Sequence, residues 1–217
     1  MGPKRAILLL AAALTAAAPT AFPAPPQSRQ QALAQLEDAV TERRAEAVVW
    51  VANHGRMGDT ELLLKRLRDP SPFVRDFAEQ GLRLLWLRSG EADIDRLMAR
   101  STEEMQAGRL TDSIATLSEV IRRMPEYAEG WNRRATVYFL AGEYRKSIAD
   151  CDETLKRNPK HFGALAGLGQ IHVRLEEYER ALEWFRRALE VNPNLTGVEL
   201  HIRQIEERLE EKRARST

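Results

Sequence analysis

Three prolines stand in one register: Pro125, Pro159 and Pro193 follow one another at intervals of 34 residues. Apolar residues keep the same phase. Ile114, Ile148 and Leu182 form one column, and Leu110, Tyr144 and Tyr178 a second. Leu117, Cys151 and Phe185 form a third, and Ile121, Leu155 and Leu189 a fourth. A fixed period of this length is the signature of a stacked repeat protein. One such unit cannot bury both of its faces, so its neighbours must complete the core.

The chain has 217 residues, of which 43% are apolar and 30% charged. It can therefore bury a core while staying heavily solvated, as a thin helical stack does. Once Lys4 and Arg5 leave with the N-terminal segment, 31 basic residues stand against 32 acidic ones. That balance offers no electrostatic case for nucleic acid or a membrane surface as partner.

Residues 1–24 read as a secretory signal peptide. Lys4 and Arg5 make a positive start, and Ala6 to Ala18 form a run of apolar and small residues interrupted only by Thr15. The run is shorter than the ~20 apolar residues that cross a ~30 Å hydrocarbon core as a helix. No stable membrane insertion is expected after cleavage. Ala18, Ala21 and Ala24 leave the cleavage point open, and no cysteine nearby supports a lipoprotein signal. The expectation is an exported protein, periplasmic or secreted, with Pro25 and Pro26 leading into the folded part.

Export implies an oxidising compartment, yet Cys151 is the only cysteine and has no partner for an internal disulfide. Its place in the third column reads as a small buried core residue. No catalytic residue, metal site or cofactor is expected. His54, His161, His172 and His201 fall in different elements, without the i, i+4 pairing of a helical metal site. The chain has no glycine-rich phosphate loop, no Gly-x-Ser-x-Gly elbow and no Cys-x-x-Cys. His172 reads as a packing residue, and acidic pairs such as Glu176-Glu177 and Glu206-Glu207 as solvated helix faces.

Residues 25–93 are expected to be helical but lie off the later register. Leu33, Leu36, Val40, Ala47, Val48 and Val51 make one amphipathic stripe over Gln30 to about Val51. The stretch His54-Gly55-Arg56-Met57-Gly58 ends it, because glycine readily takes the left-handed conformation at a helix end. Asp59 or Thr60 caps a short helix through Leu67, and Ser71 with Pro72 opens another to about Arg88. That last helix turns Val74, Phe77, Ala78, Leu82, Leu85 and Trp86 toward neighbours. With Leu64, Leu67, Asp69, Pro72, Val74, Arg75, Ala78 and Leu82, the stretch resembles a HEAT repeat: a short helix, an Asp-Pro turn, and a Val-Arg pair opening the second helix.

The regular register divides into windows 94–127, 128–161 and 162–195. The middle window carries Trp131, Ala135, Tyr138, Ser147, Cys151 and Pro159 at its positions 4, 8, 11, 20, 24 and 32. The third has Leu165, Gly169, His172, Ala181, Phe185 and Pro193 there, and the first has Leu97, Ser101, Glu104, Ser113, Leu117 and Pro125. The pattern closely resembles the tetratricopeptide repeat (TPR), with Glu104 departing from an aromatic position. The resemblance implies an all-α, right-handed solenoid of antiparallel helix hairpins, here three TPR units preceded by HEAT-like helices. Small residues at positions 8 and 20 let the two helices of each hairpin cross closely, and Gly108 and Gly142 open the turns. Residues 196–217 supply a closing helix and tail, with Val198, Ile202, Ile205 and Leu209 on its apolar face. A cap on a monomer is favoured over a dimerisation helix, because the stripe is too short for a coiled coil.

By that resemblance, the first helix of each hairpin lines an inner groove. The lining expected to bind a partner comprises Met98, Thr102, Met105, Asn132, Arg133, Thr136, Phe139, Gln170 and Arg174. The groove would suit a protein partner presenting an extended peptide or a helix. A subclass of the family grips a C-terminal carboxylate with lysines and asparagines at positions 5, 6 and 9. Met98, Thr102, Arg133, Ala166 and Gln170 do not reproduce that clamp. The expected function is therefore an exported, non-enzymatic interaction scaffold. Two alternatives stay open: an envelope assembly factor that holds client chains, and a small-ligand binder or enzyme using a pocket between the N-terminal helices and the repeats.

Overall fold

Ser28 begins the first helix, its side chain accepting the N–H of Gln31 at 3.2 Å. The computed structural model describes residues 25–215, so the expected signal peptide at residues 1–24 lies outside the described residues. The N-terminal part comprises α1 (Arg29–Gln35), α2 (Thr41–His54), a 3-10 turn (Met57–Asp59), α3 (Thr60–Arg66) and α4 (Pro72–Leu87). The single stripe expected over residues 30–51 is thus two helices. The break is held by side chains: Asp38 accepts the Val40 N–H at 2.8 Å, and Arg44 donates to the Asp38 and Ala39 carbonyls. Arg66 reaches back to the Leu36 carbonyl at 2.6 Å. Ala32 and Leu36 of the first segment still share a core with Ala47, Val48 and Val51, whereas Val40 precedes α2 and is exposed.

Gly55 follows α2, but in an extended conformation, φ −72° and ψ 167°, and not the left-handed one expected. Glycine is needed there for space, since a Cβ would overlap the Val51 carbonyl oxygen. Asp59 does not cap α3 with its side chain. Its carboxylate instead accepts from Arg29 and from the Arg56 N–H. α4 starts with Pro72 at its first turn, and the Ser71 N–H is taken by Asp69 at 2.9 Å. Val74, Ala78, Leu82, Leu85 and Trp86 are buried as expected, but Phe77 lies beside the exposed Phe73 and Leu84 on a neighbouring stripe of the helix.

The hairpins follow as α5 (Ala92–Gln106) with α6 (Leu110–Arg123), α7 (Ala128–Leu140) with α8 (Tyr144–Arg157), and α9 (Phe162–Arg174) with α10 (Tyr178–Val191). Their close crossings are built as the small residues imply. Ser113 donates to the Ser101 carbonyl at 2.8 Å, and Ser147 to that of Ala135 at 2.7 Å. In the third hairpin, Gly169 makes room for the Phe185 ring, which a Cβ would overlap. The first two turns use Gly108 at φ +73° and Gly142 at φ +75°, while the third forces Glu176 to φ 59°. Glu104, where an aromatic was expected, is buried and accepts from Thr116 and Arg100, both at 2.7 Å. Burial alone would raise its carboxyl, but those donors outweigh it and hold it below the ordinary range.

α11 (Thr196–Ala214) lies on α10, its Val198, Ile202, Ile205 and Leu209 covering Ala181, Leu182 and Phe185. His201 stacks on the Phe185 ring at 5.6 Å. Each large apolar side chain so buried contributes ~1.5–3 kcal/mol. No helix among the described residues is long and apolar enough to cross a membrane.

The N-terminal helices lie along the edge where the repeats join. The Tyr127 hydroxyl donates to the Leu87 carbonyl at 2.7 Å in the first joint. In the second, His161 stacks on Trp86 at 4.4 Å, and Phe162 is fully buried against the same indole. In the third, Arg75 donates to Asn194 at 2.8 Å, Asn194 to the Leu67 carbonyl at 2.8 Å, and Asn192 to Glu79 at 2.9 Å. Arg68 also meets the Glu190 and Val191 carbonyls at the end of α10.

Candidate partner-binding groove

The first turn of α7 presents Glu129, whose carboxylate is buried and accepts three hydrogen bonds. Arg133 donates through Nε at 2.8 Å, Asn132 through Nδ2 at 3.0 Å, and His161 through Nε2 at 3.0 Å. The assignment of the histidine proton follows from geometry: the Ala164 N–H donates to Nδ1 at 3.0 Å, so the proton must sit on Nε2. His161 thereby caps α9, supports the Trp86 indole and holds Glu129. Burial would push the Glu129 carboxyl up, but the hydrogen bond from His161 and the charge of Arg133 outweigh it, leaving it below its ordinary value.

The end of α4 stands over this turn. Arg83, Trp86 and Leu87 face Asn132, Arg133 and Thr136 across a cleft of about 350 Å³. A smaller notch of about 60 Å³ continues from it between α7 and α9, sharing Asn132, Thr136 and Gly163. Its floor includes Ala135, Phe139, Cys151 and Ile171. The Arg174 guanidinium lies 5.9 Å from the centre of the Phe139 ring, within cation–π range. Cleft and notch form one path across the face shared by α7 and α9.

The residues expected to line the groove divide into three groups. Thr136, Gln170 and Arg174 are exposed on this path, with Phe139 half-buried among them. Asn132 and Arg133 also border it, but each gives a donor to Glu129. Met98 and Met105 do not line it: Met98 is buried and Met105 packs beside it, in a core with Ile94, Leu117 and Val120. Spacings of four and seven residues put Met98 and Met105 on one face of α5, the face turned to α6. Thr102 spends its hydroxyl proton on the Met98 carbonyl at 3.0 Å. The sequence points Trp86 toward neighbours but does not place it, Arg83 or Leu87 on the groove, because their contacts cross between two units with no shared period.

Two other side chains are structural. Cys151 is 3% exposed, and burial, reinforced by the charges of Asp152 and Asp150, pushes its thiol up to about 12. His172 is buried and bonds Glu177 at 2.7 Å.

A tetratricopeptide repeat model matches residues 98–153 and again 141–195. A TPR repeat-containing protein of Rhizobium etli is 40% identical over 77 residues, covering 36% of this chain and 37% of that relative. The match thus spans little more than a third of the curated relative. Among solved structures, the Sgt2 TPR domain of Aspergillus fumigatus superposes with a TM-score of 0.54 at 18% identity, covering 57% of this chain and 83% of that one. The first TPR of Spaghetti (RPAP3), bound to the HSP90 peptide SRMEEVD, gives 0.52 at 21%, covering 54% and 92%. The type III secretion translocator chaperone SycD of Yersinia enterocolitica gives 0.53 at 14%, covering 57% and 99%. At such identities the likeness shows the fold. With the family match, the 34-residue period and the hairpins closed by small-residue crossings, residues 98–195 are built of tetratricopeptide repeats.

Proposed function

We propose that this is an exported, non-enzymatic scaffold that holds a segment of a partner protein on the α7–α9 face, beneath the end of α4. The observation that carries the reading is the path from Trp86 to Arg174, apolar at its floor and polar at its rim. Such a surface suits a bound chain, with apolar contacts supplying affinity and polar groups setting register. The first TPR of Spaghetti, bound to an HSP90 peptide, is a precedent for peptide binding by this fold. The mismatched clamp positions argue against a C-terminal carboxylate as the feature recognised here. The basic start and apolar run of residues 1–24 support export, and any chemistry belongs to the partner.

The test is site-specific photo-crosslinking. A crosslinking side chain at Gln170 should trap peptides selected on the protein from a random display library, whereas one at Arg187 on α10 should not. Equal trapping at both, or none at Gln170, overturns the groove reading. An intact mass equal to the unprocessed chain after expression in its own host overturns export.

A second reading, binding of a small ligand, rests on a different observation. A cleft of about 700 Å³ separates the turn between α2 and α3 from the repeat joints, with Met57, Glu61, Arg88, Met124 and Lys160 on its walls. Ligand sites favour such boundaries between units. A thermal shift with a metabolite library that Met57→Trp abolishes, while peptide capture persists, would favour it.

A further inference from the structure

We infer that the notch between α7 and α9 selects an extended partner segment in which a small aliphatic side chain lies two residues from an acidic one. This inference rests on the groove reading above and specifies what the groove accepts.

The notch encloses about 60 Å³ over a floor of Ala135, Phe139, Cys151 and Ile171, with Gly167 on its wall. The floor is neutral, since the Cys151 thiol is held protonated by burial. Ser147, also at the notch, gives its hydroxyl proton to the Ala135 carbonyl and keeps none for a guest. A water molecule needs two to four polar partners to be held in such a recess. An aliphatic group gains by filling it. A recess of that size suits a methyl or isopropyl group better than a ring.

Arg174 supplies the second element. It borders the notch through Phe139 and has no acidic partner among the described residues, unlike Arg133, which is committed to Glu129, and Arg83, which pairs with Glu79. In an extended chain, side chains two residues apart point the same way and lie ~6.6 Å apart. The Arg174 guanidinium lies 5.9 Å from the centre of the Phe139 ring, one wall of the notch, and so stands beside the recess rather than in it. A carboxylate so placed reaches Arg174 in a charge-assisted contact while its neighbour enters the notch.

The experiment selects a random phage-displayed peptide library on the purified protein and then measures the enriched peptide by fluorescence anisotropy. Enrichment of alanine or valine two positions from aspartate or glutamate is expected. Gly167→Val should weaken the selected peptide roughly tenfold by filling the notch. A Cβ at that position stands 3.8 Å from the Cys151 Sγ, an ordinary contact, and Gly167→Ala, which adds that Cβ alone, should keep a melting temperature no lower than wild type while weakening the peptide less than Gly167→Val does. Arg174→Glu should weaken it roughly fivefold and, on reselection, replace the acidic preference with a basic one, which a purely structural role would not do. Peptides that crosslink at Gln170 but ignore Gly167→Val and Arg174→Glu leave the groove reading standing and overturn this inference. Enrichment of bulky or uncharged sequences likewise overturns it. A library yielding nothing that crosslinks at Gln170 overturns both.

Discussion

The repeats and the N-terminal helices pack by different means. In the repeats, backbones approach through small residues in phase, Ser101 with Ser113, Ala135 with Ser147, and Gly169 beneath Phe185. In the N-terminal unit, arginines bind the ends of helices. Arg44 grips the buried Asp69 through two bonds of 2.8 and 2.9 Å, Arg66 takes the Leu36 carbonyl, and Arg88 takes those of Ala52 and Gly55. A steric crossing can be repeated, because each hairpin offers the next a similar surface. An arginine placed on a particular carbonyl serves one joint only, which explains why this unit shows no period.

The sharpest test of that contrast is Asp69→Ala. It leaves the buried Arg44 guanidinium with carbonyl partners alone and takes away the carboxylate 3.6 Å from Arg66, and should cost ~3–5 kcal/mol in urea denaturation. Asp150→Ala in the repeats should cost less, because Arg134 keeps Ser118 and the faces of Trp131 and Tyr138. Equal losses would erase the distinction. The same pair sets a pH dependence. Burial would raise the Asp69 carboxyl, but the Arg44 hydrogen bonds and the Ser71 N–H outweigh it, so it lies below its usual 3.8. Its stabilisation is complete above that value and is lost as pH falls toward the folded-state value. The urea midpoint should therefore drop below about pH 4, and Asp69→Asn should flatten that drop.

A smaller effect separates two glycines. Gly169→Ala forces a methyl into the Phe185 ring and should cost ~1–3 kcal/mol. Gly81→Ala in α4 meets the end of the Leu63 side chain at 2.9 Å and the Ala52 methyl at 3.0 Å. Movement of Leu63 and the better helix propensity of alanine should leave it within about 1 kcal/mol of neutral by calorimetry. The smallest effect lies in the turns. Glu176→Gly should stabilise by ~1 kcal/mol by relieving φ 59°, and Gly142→Ala should lose about as much. A Glu176→Gly variant no more stable than wild type would mean that the third turn draws compensation from elsewhere, such as Glu177 with His172.

Much of the repeat half was legible in the residues themselves. The proline ladder placed the hairpins, the small columns marked the crossings, and Cys151 and His172 fell where packing residues belong. The groove was only partly legible. Repeat phase put Thr136, Gln170 and Arg174 on one face, but it equally assigned Met98 and Met105, whose side chains the first hairpin claims for its own core. It also offered Asn132 and Arg133 to a partner, although a buried carboxylate three or four residues earlier already draws on both. The N-terminal stripe failed for a related reason. Its apolar spacing survives across two helices, and the break comes from Asp38, Arg44 and Arg66, whose bonds no periodicity records.

The sequence by itself determined the repeat, its register and the residues that close each crossing, because those depend on helical faces recurring within one hairpin or the next. Only the tertiary structure decided where the N-terminal helices lie and how much of the groove they cover. Contacts such as Arg75 with Asn194, 119 residues apart, or Trp86 on His161 are made by single residues of α4 against the joints between repeats. Their free energy comes from geometry that exists only once both units are folded, so no local pattern in the chain encodes it.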